Sequence, residues 1–294
     1  MLEDLHIDPA YDGFLFLAEA VRNPPVLRPH RHRELELNVV IQGKVTYVHA
    51  GQRYCFSKGS LLWLFPEQEH QLVDRTADAA YYVAVFTPRM LKRACRGERY
   101  APLQQQQQLS ESGILHSELR PEEFDQIRSH MDTLVAEGLD PDLLNREAGF
   151  GQSSDFQFKH NDPDWLNAGL RQLLLTAWRA QQGHQRDARE VDLHPAVRRT
   201  LELMNQADFA DDLSSLAEAV GVSSSYLSRT FRSEVGVPLT RYRNSIRLGR
   251  FWKTYRSSRE GTLLEAVLSA GFGSYAQFYR VYREAYGEGP RKTL

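Results

Sequence analysis

Three histidines and a glutamate carry the clearest candidate chemistry in the first half of the chain. In RPHRHRELELNVVIQG, His30, His32 and Glu36 stand at even separations ahead of Gly43, and GSLLWLFPEQEH adds Pro66 and His70. Residues two apart in an extended strand face the same way, so two imidazoles and a carboxylate can converge. With His70 they make a donor set suited to a divalent transition metal. The same parity places Glu34 and Asn38 beside them, and Leu35, Leu37, Val39 and Ile41 on the opposite face. The polar face either lines a barrel lumen, its apolar back covered by a second layer, or looks at solvent. Three readings stay open for His30, His32, Glu36 and His70: a bound metal, the polar lining of an effector pocket without metal, or structural and surface histidines. Trp63, Phe65 and Tyr47 read as core, Trp63 with the further option of stacking on a ligand.

A second kind of chemistry repeats near the other end. YLSRTFRSEVGVP and FYRVYREAYGEGP share one register: Arg229 and Arg280, Phe231 and Tyr282, Arg232 and Arg283, and Gly236 and Gly287 each stand 51 residues apart. A fixed offset over so many positions is a duplication. A short helix and a glycine turn precede each copy. In the first, Leu213, Leu216 and Ala217 give an apolar face, Gly221 permits the turn, Ser223 caps the next helix, and Leu227 and Phe231 pack inward. In the second, Leu264, Val267 and Leu268 precede Gly271, and Phe278 with Tyr282 repeats the inward pair. Each copy has a helix-turn-helix pattern. The outward residues are Ser224, Ser225, Ser228, Arg229 and Arg232 in one copy, and Ser274, Tyr275, Tyr279, Arg280 and Arg283 in the other. Arginine bridges guanine acceptors or grips phosphates, and serine and tyrosine hydroxyls donate to either. One such helix is ordinary solvated surface; two with matched arginines point to a surface that binds nucleic acid.

These groups need elements to hold them. The 294 residues, 41% hydrophobic and 25% charged, suit two globular domains and a connector. From Phe14 to Phe86, short apolar stretches alternate with Gly43, Gly51 and Gly59, the texture of a β-sandwich or barrel. After about Pro88 the texture turns helical. A glutamine run at 104–108 reads as a loop, PEEFDQIRSHMDTLVAEG stripes Phe124, Ile127, Met131, Leu134 and Val135, and DPDWLNAGLRQLLLTAWRAQQ carries a broader apolar face. That breadth suits either ordinary core or a helix shared with a dimer partner. QQGHQRDARE follows as a polar linker. The net charge of −2 hides an asymmetry: from Pro195 onward fifteen Lys and Arg face ten Asp and Glu, so the remainder is acidic. The start, MLEDLHIDPA, lacks an apolar signal core and LLWLF is too short to cross a bilayer, which predicts a cytoplasmic protein with no membrane partner. Cys55 and Cys95 stand alone and read as packing thiols.

The segments LAEAVGVSSSYLSRTFRSEVG, YRNSIRLGRF and AGFGSYAQFYRVYREAYGEGP resemble the DNA-binding domain of the AraC/XylS family of bacterial transcription regulators, over residues 195–294. That resemblance implies seven helices, with a linking helix near Leu239 to Tyr255 that sets two recognition helices into successive major grooves on one face of DNA. The chain departs from the family pattern at Phe251 and Val267, where alanines are usual, and in ending PRKTL without a closing tyrosine-arginine. The H-x-H-x3-E-x6-G spacing with Pro66 and His70 resembles the cupin motifs, and 14–90 resembles the cupin-like sensory domains found ahead of such DNA-binding domains. The fold expected is multidomain α+β: a cupin-like jelly-roll barrel over 1–95, a linker and helical dimerisation or coupling region over 96–194, and two helix-turn-helix units over 195–294. The function expected is a sequence-specific transcription regulator, activator or repressor, controlled by a small-molecule effector in the barrel. Expected partners are double-stranded DNA, the effector, a second copy of the chain and RNA polymerase, with a divalent metal as candidate cofactor. No catalytic residue and no enzymatic activity are expected. The alternative is a metal-dependent cupin enzyme fused to a DNA-binding domain.

Overall fold

The computed structural model describes Leu5 and residues 7–19, 29–50, 52–104, 113–137, 162–183, 191–205, 212–257, 262–286 and 289–290. Most of the glutamine run, most of the polar linker, Gly51, Gly287 and the last four residues lie outside them.

Alternating apolar residues build two antiparallel sheets. In the first, β1 (Gly13–Glu19), β7 (Ala80–Phe86), β2 (Leu35–Gln42), β5 (Ser60–Leu64) and β8 (Leu115–Glu118) lie side by side in that order. In the second the order is β6 (Gln71–Arg75), β3 (Lys44–His49), β4 (Gln52–Ser57) and β9 (Val191–Asp192). Phe14, Val40, Leu62, Val83 and Val85 meet Val45, Tyr47, Phe56 and Leu72 between the sheets, giving the cupin-like barrel of a mixed α+β chain. Strands β8 and β9, from the stretch expected to be connector, complete the two sheets.

The back of the first sheet is covered by helices. Leu35, Leu37, Val39, Leu61 and Trp63 pack against Ile127 and Met131 of α2 (Pro121–Glu137) and Leu170, Leu173 and Leu174 of α3 (Pro163–Gly183). The polar parity of β2 therefore faces inward. Trp63 is core, edge-on to Trp178 at 5.5 Å between ring centroids. The breadth of α3 has a physical cause in close helix packing: a Cβ at Gly169 would stand 2.3 Å from a methyl of Leu134, and His130 donates from Nε2 to the Gly169 carbonyl at 2.9 Å. Its apolar residues are spent within this chain, leaving Trp165 as the exposed aromatic of the helix. A shorter helix, α1 (Pro88–Ala94), is tied to the start of β1 because Arg89 and Arg93 both reach Asp12. Cys95 is buried as expected, its thiol pushed up to about 11 by burial, but Cys55 is exposed because Tyr54 and Phe56 take the inward positions of β4.

The C-terminal half is helical: α4 (Pro195–Asn205), α5 (Leu213–Ala219), α6 (Ser224–Val235), α7 (Leu239–Ser257), α8 (Leu263–Ser269) and α9 (Tyr275–Tyr286). A seventh helix would fall on residues mostly outside those described. In both units the turn is made the same way. Gly221 (φ 72°) and Gly271 (φ 89°) take the left-handed conformation that side chains resist, and Val222 N donates to Ala217 O at 3.0 Å as Phe272 N does to Val267 O at 3.3 Å. Leu216, Ala217, Leu227, Phe231, Tyr242 and Ile246 form the first core; Leu248, Phe251, Val267, Phe272, Phe278 and Tyr282 form the second. The second unit differs in its short helix: of the three apolar residues before Gly271, Val267 is buried while Leu264 and Leu268 are about half exposed, and Ala266 and Ala270 join Val267 on the inward side. Large Phe251 fills the space those alanines leave, at 4.5 Å from the Phe278 ring. Among the described residues no helix is long and apolar enough to cross a membrane.

Candidate functional site

Backbone pairing assembles the histidine cluster. His30 and His70 exchange hydrogen bonds in both directions, at 3.1 and 3.0 Å, and Glu67 N donates to His32 O at 2.8 Å. The segment before β2 is thereby pinned to the segment before β6. The His30 and His70 rings lie 4.3 Å apart between centroids, and His32 to His70 is 5.4 Å. One nitrogen from each of His30, His32 and His70 lies within 4.8 Å of the others. His32, Glu36 and His70 are buried and His30 is half-buried at the mouth.

Glu36 sits at the centre of the electrostatics. His32 Nε2 lies 3.1 Å from one carboxylate oxygen, His70 Nε2 3.9 Å from the same oxygen, and Asn38 Nδ2 donates to the other at 2.7 Å. Burial works to raise the Glu36 carboxyl, but the His32 hydrogen bond and the three histidines outweigh it and hold it at about 2. His70 moves well below the usual imidazole range, through burial first and His30 second. It is neutral at pH 7. Its Nδ1 donates to the Gln68 carbonyl at 2.9 Å, which fixes the tautomer and leaves the Nε2 lone pair aimed into the cluster without a hydrogen bond.

The lumen continues beyond this cluster with groups the sequence pattern missed. Asn38 Nδ2 is 3.3 Å from Tyr47 Oη, and the buried Arg75 guanidinium is hydrogen-bonded to Tyr81. Strict alternation along QLVDR would put Arg75 with Gln71 and Val73. Instead β6 carries one extra residue opposite the Thr46–Tyr47 step of β3, so Leu72 and Arg75 face inward while Val73 packs outward. No sequence signal marks that bulge.

These groups fit a metal. Neutral His70 with its open Nε2, His32 held against the carboxylate, a third imidazole at the mouth and an ionised Glu36 match first-row transition-metal preferences. Donors as far as 4.8 Å apart must close slightly, since ligands about 2.0–2.1 Å from one zinc span at most about 4.2 Å.

The second group of candidates lies on α6 and α9. Arg229 and Arg232 are exposed on one, Arg280 and Arg283 on the other; Ser225, Ser274 and Tyr279 are exposed, and Ser224, Ser228 and Tyr275 are half-buried. Arg229 Nε donates to the Ser225 carbonyl of its own helix at 3.3 Å, leaving the rest of its fork outward. Ser274 is a cap, accepting from Gln277 N at 3.2 Å, as Ser223 accepts from Tyr226 N at 3.3 Å. The serines that match across the repeat are thus Ser223 and Ser274, and Ser224 corresponds to Tyr275.

Comparison with known proteins follows this division. Residues 17–137 match the AraC-like ligand binding domain family and residues 216–294 match a helix-turn-helix domain family. No curated protein gives a significant match. Among solved structures, the chain is similar to ToxT from Vibrio cholerae with an unsaturated fatty acid bound, at 10% identity and a TM-score of 0.35 over 95% of this chain and 93% of that one. It is also similar to the C-terminal domain of AraT, a response regulator from Geobacillus stearothermophilus, at 27% identity and a TM-score of 0.30 over 35% of this chain and 86% of that one. The AraC-like transcriptional activator CuxR gives 10% identity and a TM-score of 0.33 over 90% of this chain and 83% of that one. A ligand-binding barrel of AraC type, followed by a duplicated helix-turn-helix, places the chain in the AraC/XylS family of effector-controlled, DNA-binding transcription regulators.

Proposed function

We propose that this regulator senses its effector in the barrel lumen, with His30, His32 and His70 holding a divalent metal beside Glu36, and reads DNA through matched faces of α6 and α9. The observation that supports it most is the convergence of three imidazoles and one ionised carboxylate between the sheets of a chain whose far end presents two like-built arginine helices. His70 supplies a neutral nitrogen, and Glu36 orients His32. When bound, the metal would supply a Lewis-acidic position for an effector oxygen or nitrogen. The role of the barrel in this reading is to bind and signal, not to turn a substrate over.

The working division is a sensing barrel over 1–95, a coupling region over 96–194 and the DNA-binding domain over 195–294, with β8 and β9 lent to the barrel. On DNA, Arg229, Arg232, Arg280 and Arg283 contact bases or phosphates, Ser225, Ser228, Tyr275 and Tyr279 add hydroxyl contacts, and Ser224 and Ser274 act at the helix starts. Two copies pair through the outer surface of the central helices, where Trp165 is exposed, in the cytoplasm, and the DNA-bound form engages RNA polymerase.

Metal analysis and Co(II) titration of the full chain test the barrel: a d–d spectrum lost in His70→Ala is expected, and no spectrum would remove the metal from this reading. Duplex binding measured against salt tests the other end. Affinity should fall steeply as salt rises because phosphate contacts release counterions; a flat response would assign α6 and α9 to another partner.

A further inference from the structure

Between the histidine cluster and the DNA-binding half there is a single residue step. His70 places its ring in the lumen, 2% exposed, and Gln71, the first residue of β6, turns its amide the other way and donates to Tyr242 Oη of α7 at 2.5 Å. Gln71 is 3% and Tyr242 0% exposed, so the bond is buried, and removing either partner leaves the other in the interior with one hydrogen bond fewer.

The rest of β6 extends the same contact. The bulge turns Val73 out of the barrel into the apolar cluster of Val197, Leu216, Phe231 and Tyr242. Asp74 is next to it, close to Gly236 and in the field of Arg241, and from β4 Arg53 reaches the Ser233 carbonyl at 3.4 Å. Tyr242 in turn packs edge-on against Phe231 of α6, 5.4 Å between centroids. A closing movement of the His30 and His70 rings would act on a paired backbone segment whose next residue holds α7.

We propose that occupancy of the His30–His32–His70 cluster is transmitted to the first helix-turn-helix unit through β6, with Gln71 and Tyr242 as the positioning pair that couples them. This rests on the reading of the cluster as a metal or effector site. Coupling of this kind requires only that the ligand prefer one of two arrangements of the His70–Gln71 segment, and that α7 bind the same one. The pair's role is to convey the state of the lumen; neither residue contacts metal or DNA.

The test is hydrogen exchange of the full-length protein with and without Ni(II), in wild type and in Tyr242→Phe, which keeps the ring in the core and removes the hydroxyl. Ni(II) is expected to slow exchange in both 71–75 and 239–246 of the wild type by about threefold or more. In Tyr242→Phe the response of 71–75 should persist and that of 239–246 should vanish. Gln71→Met, cutting the bond from its other end, should give the same result. A wild-type response confined to the barrel, or a full response at 239–246 in both variants, overturns the proposal. If calorimetry shows no Ni(II) binding, the metal reading fails by itself and coupling is decided by His70→Ala in metal-free protein. Altered exchange at 239–246 that disappears in the His70→Ala, Tyr242→Phe double variant supports it, and unaltered exchange overturns it.

Discussion

The two helix-turn-helix units are near copies in their local chemistry and differ in what surrounds them. Both use a serine cap, a left-handed glycine and an inward aromatic one turn after an apolar residue. The first unit's core runs on into Val73 and Val48 of the barrel and Leu193, Val197 and Leu201 of the segment ahead of it. Among the described residues, the second unit's core draws only on those between Leu248 and Ala285. Duplicated sequence therefore produced equal turns and unequal neighbours. The first unit is placed to be influenced by the barrel, and the second hangs from α7.

The largest test removes one ring from each core. Phe278→Ala and Phe231→Ala should each cost about 3–5 kcal/mol. Segment-resolved hydrogen exchange in urea should show Phe278→Ala loosening α8, α9 and the end of α7 that carries Phe251 while leaving the barrel unchanged, whereas Phe231→Ala should also raise exchange in β6. Equal spread from both would erase the distinction.

Arg229→Ala and Arg280→Ala come next. Each should reduce discrimination between specific and altered duplex by about 1–3 kcal/mol where the guanidinium reads a base edge. A uniform loss across sequences, with a shallower salt slope, assigns that arginine to phosphate. A difference between the two variants would show that the copies have divided these roles.

Ser223→Ala and Ser274→Ala should each cost about 1 kcal/mol, as caps do, in thermal unfolding monitored by circular dichroism. Matching values would confirm that local chemistry is shared while context is not. The smallest effect is expected at the barrel contact. Burial raises the Asp74 carboxyl, with Arg75 and Arg241 opposing, so its ionised form weighs against folding at neutral pH. Asp74→Asn should then be slightly stabilising at pH 7, and the gain should disappear as the pH falls below about 4, where both states of the wild type bind the proton.

Much of this was legible in residue order. The parity of His30, His32, Glu36 and Asn38 against Leu35, Leu37 and Val39 put the cluster on one face of β2, but whether that face lined a lumen or met solvent was decided by the helices that cover the apolar back, which residue order alone does not place. The 51-residue offset located both arginine helices. The features that residue order hides depend on neighbours remote in sequence. The exposure of Leu264 and Leu268 follows from Phe251 on the preceding helix, which lets alanines face the core. The inward turn of Arg75 needs an extra residue that only the partner strand reveals. Gln71 and Tyr242 are 171 positions apart and neither carries a pattern of its own.

Helix α7 sets one more quantity. Tyr242 belongs to the first core and Phe251 to the second, and nine residues at about 100° each bring them out on opposite sides of the rod. The helix thus acts as an angular spacer. A residue inserted near Arg247 would turn one unit against the other by about 100° and lengthen the gap by only about 1.5 Å, so operators are matched to this chain through its rotational phase far more than through its reach.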